Sequence, residues 1–196
     1  MKLRSCMLAI FFSLSSYAIA VETPVYRSDY VGQESRQIKS LSDDDIQQLQ
    51  QGKGWGLAKA AELNGMPGPV HILQMKDKIS LTKEQEAKIQ ALFEEMQSQA
   101  IPLGKQLIEL EKELNDAFKN KTITEEKLAE QLEAISKVRK TLRYVHLVTH
   151  LKTPTILTSQ QIELYNRLRG YGSADPCENI PEGHDAKMWR KHHDCN

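Results

Sequence analysis

The chain has 196 residues, of which 26 are basic and 26 acidic, so its formal net charge is zero with neutral histidines. A chain without net positive charge has no electrostatic basis for binding nucleic acid. Only 6% of the residues are aromatic, and Leu, Glu, Gln, Lys and Ala are abundant, a composition that favours helices over a β-sandwich.

The first residues have the layout of a secretory signal peptide. Lys2 and Arg4 precede an apolar run at 7–12, and residues 18–20 (Ala-Ile-Ala) fit the small-x-small rule of signal peptidase. The apolar run is shorter than the roughly 20 residues that cross a bilayer. We expect residues 1–20 to be cleaved and the protein to be periplasmic, with an uncleaved membrane anchor as the alternative. Cleavage leaves a net charge of −2, and no later segment is apolar enough to span a membrane.

Residues 21–68 are interpreted as an N-terminal extension with short helices. Ser42 and Asp45 have the spacing of a capping box, which predicts that a helix begins there. Further short helices are expected at 57–63 and 70–79, on either side of a turn rich in Pro and Gly.

A long amphipathic helix is predicted to begin after Thr82. Thr82 and Gln85 again have capping-box spacing, and apolar residues then recur every three or four positions over 89–117. Pro102 lies inside this stripe and removes a backbone donor, so we expect the helix to bend there.

A second long helix is predicted over about 124–151, with an apolar stripe of matching length. Thr158 and Gln161 then predict a short capped helix, and the polar residues 171–196 predict a mobile, disordered tail. Matching stripes favour pairing of the long helices. The predicted fold class is therefore all-α, a long bent antiparallel helical hairpin with short flanking helices.

Two Leu-Thr-x-x-Gln motifs stand at the predicted helix starts that bracket this hairpin. They are Leu81-Thr82-Lys83-Glu84-Gln85 and Leu157-Thr158-Ser159-Gln160-Gln161. A secreted helical protein with both motifs resembles the Spy/CpxP group, which includes zinc-resistance-associated proteins and periplasmic heavy-metal sensors. The resemblance covers about residues 69–170. It implies a cradle-like antiparallel homodimer of bent hairpins that binds unfolded envelope proteins without ATP, restrains an envelope-stress sensor kinase, or binds metal.

The tail carries the larger group of candidate metal ligands. Cys177 and Cys195 are the two cysteines left after signal cleavage, and in an oxidising compartment such a pair is most simply a disulfide. The alternative is that the two cysteines join His184, His192 and His193 in a metal site. Zinc, copper and nickel are the candidate ions.

His146 and His150 are a second candidate site. Their spacing of four residues places both imidazoles on one face of the second long helix. Leu147 stands where a His-Glu-x-x-His protease needs its glutamate, so hydrolytic zinc chemistry is not expected. The alternative is that both histidines simply pack near the helix end. His71 and Met96 are likewise interpreted as packing residues.

The sequence has no nucleophile elbow, dinucleotide fingerprint or phosphate loop after a strand, so we expect no enzyme and no required cofactor. The leading hypothesis is an envelope-stress protein that contributes to heavy-metal resistance by binding metal, unfolded proteins or both. The alternatives are a metal sensor or buffer that regulates a partner, and a structural helical interaction module.

Overall fold

The computed structural model describes residues 26–171, 177, 180, 183–193 and 195. The expected signal peptide lies outside these residues. The chain divides into two compact units, residues 1–32 and 33–196, and the fold below is that of the second. No helix in the described part of the chain is long and apolar enough to cross a membrane.

The fold is all-α, as the composition and periodicity predicted, and the described residues contain no strand. The α-helices of the described residues are α1 (Asp43–Gln50), α2 (Lys59–Glu62), α3 (Pro69–Gln74), α4 (Lys76–Ile79), α5 (Lys83–Lys119), α6 (Glu125–Lys152), α7 (Ser159–Leu168) and α8 (Ala186–His192). Short 3-10 helices occupy Gln33–Ser35 and Thr153–Ile156.

The helical hairpin is formed by α5 and α6, with 37 and 28 residues. Helix α5 continues through Pro102. A tight turn then reverses the chain, with Lys121 in the left-handed region at φ 55°. The predicted apolar stripes meet in the main core, where Leu107, Val138 and Leu142 are all buried.

The region predicted as one helix at 70–79 is divided into α3 and α4. The residue between them is Met75, with φ −109° and ψ 14°, and its side chain packs on a second core at this end of the molecule. The centre of that core is Ile72, Ile79, Ile89 and Tyr165, which are almost completely buried. The break therefore falls at a residue whose side chain is held by tertiary packing.

The N-terminal extension is part of the main core, which the sequence did not predict. Ile38, Leu41 and Leu49 are 2–3% exposed and pack with the apolar stripes of the hairpin. Helix α1 crosses α5 at Gly104, where a Cβ atom would lie 2.2 Å from the carbonyl oxygen of Leu49. The absence of a side chain at this glycine therefore allows the two backbones to touch.

We expect Gly104→Ala to lower the free energy of unfolding by about 1–3 kcal/mol, because the added methyl overpacks the α1–α5 contact. Helix propensity alone acts in the opposite direction, by about 1 kcal/mol. Denaturant unfolding of wild type and the variant measures the difference in the free energy of unfolding. Gly54→Ala is the control, since a Cβ there meets nothing within 4 Å. A stabilised Gly104→Ala protein would contradict the close approach.

Candidate functional site

Both Leu-Thr-x-x-Gln motifs form the capping boxes that the sequence predicted. Thr82 Oγ1 accepts from the Gln85 backbone N–H at 3.1 Å, and Gln85 Oε1 accepts from the Thr82 N–H at 3.1 Å. Thr158 and Gln161 repeat the arrangement at 3.2 and 2.9 Å. These bonds satisfy backbone donors that have no partner within a helix at its start.

The two motifs also bind each other, which their separate spacings could not show. Gln85 Nε2 donates to Gln161 Oε1 at 2.9 Å, and Gln161 Nε2 donates to Gln85 Oε1 at 3.0 Å. Each amide also reaches the backbone carbonyl just before the other motif, at Ile156 (2.9 Å) and Ser80 (3.4 Å). We call this arrangement of Gln85 and Gln161 the glutamine clasp.

The motif leucines complete the clasp on its apolar side. Leu81 and Leu157 pack against the second core around Tyr165, whose side chain is fully buried. Every polar group of the two glutamine amides is used in hydrogen bonding within the fold. The motif residues therefore join the start of α5 to the start of α7 and present no open ligand site.

A cavity of about 810 Å³ lies between the extension and the hairpin. Its walls are the loop after α1, the start of α3, and facing stretches of α5 and α6. Aromatic and aliphatic side chains form much of the lining, among them Trp55, Phe93 and Ile101. Three histidines also line it: His71 on α3, and His146 and His150 on α6.

One ring nitrogen of His150 donates a hydrogen bond, and the other carries the lone pair. Its Nδ1 lies 2.8 Å from the carbonyl oxygen of Met66, and because a carbonyl only accepts, Nδ1 carries the proton. The neutral ring therefore has its lone pair on Nε2. A Cβ at Gly68 would lie 2.5 Å from this Nε2, so the ring packs closely against Gly68 and leaves no room for a side chain there. Metal-binding histidines commonly have such a carbonyl partner on the other nitrogen.

His146 lies one helical turn before His150 and is 3% exposed. Its Nε2 is buried and has no hydrogen-bond partner. Burial, together with the neighbouring His150, lowers the pKa of His146 to about 4. The ring is therefore neutral at physiological pH. Buried polar atoms are normally paired, so this unpaired nitrogen distinguishes His146 from a histidine that only fills space.

Two other lining residues, Met96 and Glu62, have side chains that could bind a metal ion. The sulfur of Met96 lies 3.9 Å from Thr149 Oγ1, on the same stretch of α6 as the two histidines. Glu62 is engaged by Arg169 and by His71, whose Nε2 is 3.4 Å away. Burial raises the pKa of Glu62, but Arg169 and His71 outweigh burial and lower it overall. The described residues contain no group of three or more His, Cys, Asp and Glu placed to hold a metal.

The structure joins Cys177 and Cys195 in a disulfide, so neither is a thiolate. The sequence did not predict α8, which begins after the capping residue Asp185. The His184 and His193 rings both pack on Trp189, with centroids 4.9 and 4.3 Å from the indole. The tail histidines thus contact an aromatic ring, and His192 is exposed on α8.

A protein-family model described as LTXXQ motif family protein matches residues 70–168, about half of the chain. This range contains both motifs, the hairpin and the two α6 histidines. No curated protein and no solved structure matches the chain significantly.

The glutamine clasp predicts energetic coupling between two residues 76 positions apart. Gln85→Ala and Gln161→Ala should each lower the free energy of unfolding by about 1–3 kcal/mol, because each removes several hydrogen bonds, some of them partly buried. The double variant should lose less than the sum of the two, with a coupling of about 1 kcal/mol. Denaturant unfolding of the four proteins measures it. Gln90→Ala is the control, because Gln90 bonds only to Glu94 on the surface of the same helix. Strict additivity would contradict the clasp.

His146 predicts acid sensitivity with a defined sign. Its pKa is about 4 in the folded protein against 6.5 for the free side chain, so the unfolded state binds the proton more readily. Stability is therefore complete above about pH 6.5 and falls towards pH 4, by up to about 3 kcal/mol at roughly 1.4 kcal/mol per pH unit. Unfolding of wild type and His146→Gln across this range should show a shallower decline in the variant. His192→Gln should follow wild type, and parallel curves for wild type and His146→Gln would refute the assignment.

Proposed function

Because the chain belongs to the LTXXQ motif family, we propose that it is a Spy/CpxP-like periplasmic protein that contributes to heavy-metal resistance by binding a metal ion. It acts as a binding protein and not as an enzyme. The observation that carries the proposal is the pair of imidazoles on α6, those of His146 and His150, which line the cavity. Nε2 of His146 has no hydrogen-bond partner. Nδ1 of His150 donates to a carbonyl, so the lone pair of that ring is on Nε2.

The chemistry of this pair suits metal binding better than packing. Imidazole binds metal in its neutral form, and the lowered pKa of His146 keeps it neutral. A spacing of four residues on a helix brings two rings to one ion. The Met66 carbonyl accepts from Nδ1 of His150 and so fixes the orientation of the ring. A backbone carbonyl commonly has this role for a metal-binding histidine.

Binding of unfolded envelope proteins, which the resemblance also implies, has less support in the geometry. Such binding needs an open apolar surface. In this chain the apolar stripe of the hairpin is covered by Ile38, Leu41, Leu49 and Leu57 of its own extension. The cavity with its histidines is open to a ligand in the described part of the chain, and we therefore place metal binding first.

The proposal predicts that calorimetric titration with zinc, copper and nickel finds binding of at least one ion near one per chain. His146→Ala and His150→Ala should each weaken it by about 100-fold or more. Each variant removes a ligand, whereas the loss of a group that only supports a ligand costs about 10–100-fold.

The matched control is the His192→Ala, His193→Ala double variant, which changes the tail and should bind as wild type. A chain ended after Tyr171 should also bind normally. Loss of binding only on these tail changes would assign the metal to the tail. The absence of binding by every ion would refute the proposal.

A further inference from the structure

We infer that the site at His146 and His150 selects a soft monovalent ion, copper(I) or silver(I), over zinc and nickel, with the Met96 thioether as a further ligand. This inference rests on the proposed function, because it specifies which ion the same site takes.

The number of available ligands is the first argument. Zinc in proteins is almost always held by four ligands, or by three and a water. His71 is engaged by Glu62 and Gln74, which leaves two histidines here, and the described residues contain no group of three His, Cys, Asp and Glu that could surround an ion. Monovalent ions with a filled d shell are stable with two or three ligands. Two imidazoles and one thioether fulfil that requirement.

The charge of the ion is the second argument. Glu62 is the one carboxylate among the described lining residues, and it is already paired with Arg169 and His71. An ion bound at neutral His146 and His150 would therefore keep its full charge in an apolar setting. The cost of burying a charge is severe and grows with the square of the charge. A divalent ion would incur about four times the desolvation cost of a monovalent one on that relation.

The softness of the ligands is the third argument. Thioether sulfur selects copper(I) among biological metals, while carboxylate and water favour harder ions. Met96 lies on α5, across from the two histidines, and its sulfur approaches Thr149 between them. Thr149 Oγ1 also lies 2.7 Å from the carbonyl oxygen of His146. The methionine side chain thus reaches the turn of helix that carries both imidazoles.

The test uses silver(I) as the probe, because silver(I) requires no reductant and leaves the Cys177–Cys195 disulfide intact. The protein is the chain from Val21 onwards, as signal cleavage would leave it, in which Cys177 and Cys195 are the two cysteines and are joined in the disulfide. Calorimetry and competition with a chelator of known affinity give the dissociation constants for silver(I), zinc and nickel. We expect silver(I) to bind at least 100-fold more tightly than either divalent ion, and copper(I) to displace it under anaerobic conditions.

Met96→Leu isolates the thioether, since Leu and Met have similar volumes and exchange at small cost in packing. It should weaken silver(I) binding by tenfold or more. Met75→Leu is the matched control, because Met75 packs on the second core and does not line the cavity. Circular dichroism of both variants confirms that the helices remain.

The outcomes separate this inference from the function on which it rests. If zinc or nickel binds as tightly as silver(I) and still requires His146 and His150, the selectivity is wrong and the proposed function stands. If Met96→Leu binds silver(I) as wild type does, the thioether is not a ligand and the inference is overturned. If no ion binds, both proposals fall.

Discussion

The packing of residues 38–57 onto the hairpin is the interaction on which the other features depend. It packs Ile38, Leu41 and Leu49 against the apolar stripes of α5 and α6, and the absence of a side chain at Gly104 lets α1 approach α5 this closely. The same packing places the loop after α1 opposite His146, where it forms a wall of the cavity. The extension thus helps to build the candidate site and at the same time buries part of the apolar surface of the hairpin.

Residues far apart in sequence cooperate to make His146 and His150 unlike ordinary helix histidines. Met66 fixes the tautomer of His150, and Gly68, which has no side chain, lets the ring pack closely against it. Burial keeps His146 uncharged. Each of these effects comes from a different segment, so the properties of the pair belong to the tertiary structure.

Local patterns in the sequence predicted most of the fold. The capping boxes at Thr82 and Thr158 and the apolar periodicity indicated the long helices, because these signals depend on neighbours within one or two turns. The contact between Gln85 and Gln161, and the entry of Leu49 into the core, depend on docking of distant segments, which periodicity does not encode. Met96 is buried in the main core, as its place in the apolar stripe predicted, but its position in the wall of the cavity depends on the docked extension. The glycine at 104, in the middle of a strong helix pattern, was the signal that would have indicated a close approach.

The glutamine clasp has a consequence for the topology of the hairpin. The turn after α5 joins α5 to α6 covalently, and the clasp joins the start of α5 to the start of α7, a few residues beyond the end of α6. The segment from Gln85 to Gln161 is therefore a ring with one non-covalent closure. The start of α5 therefore cannot fray without opening that closure.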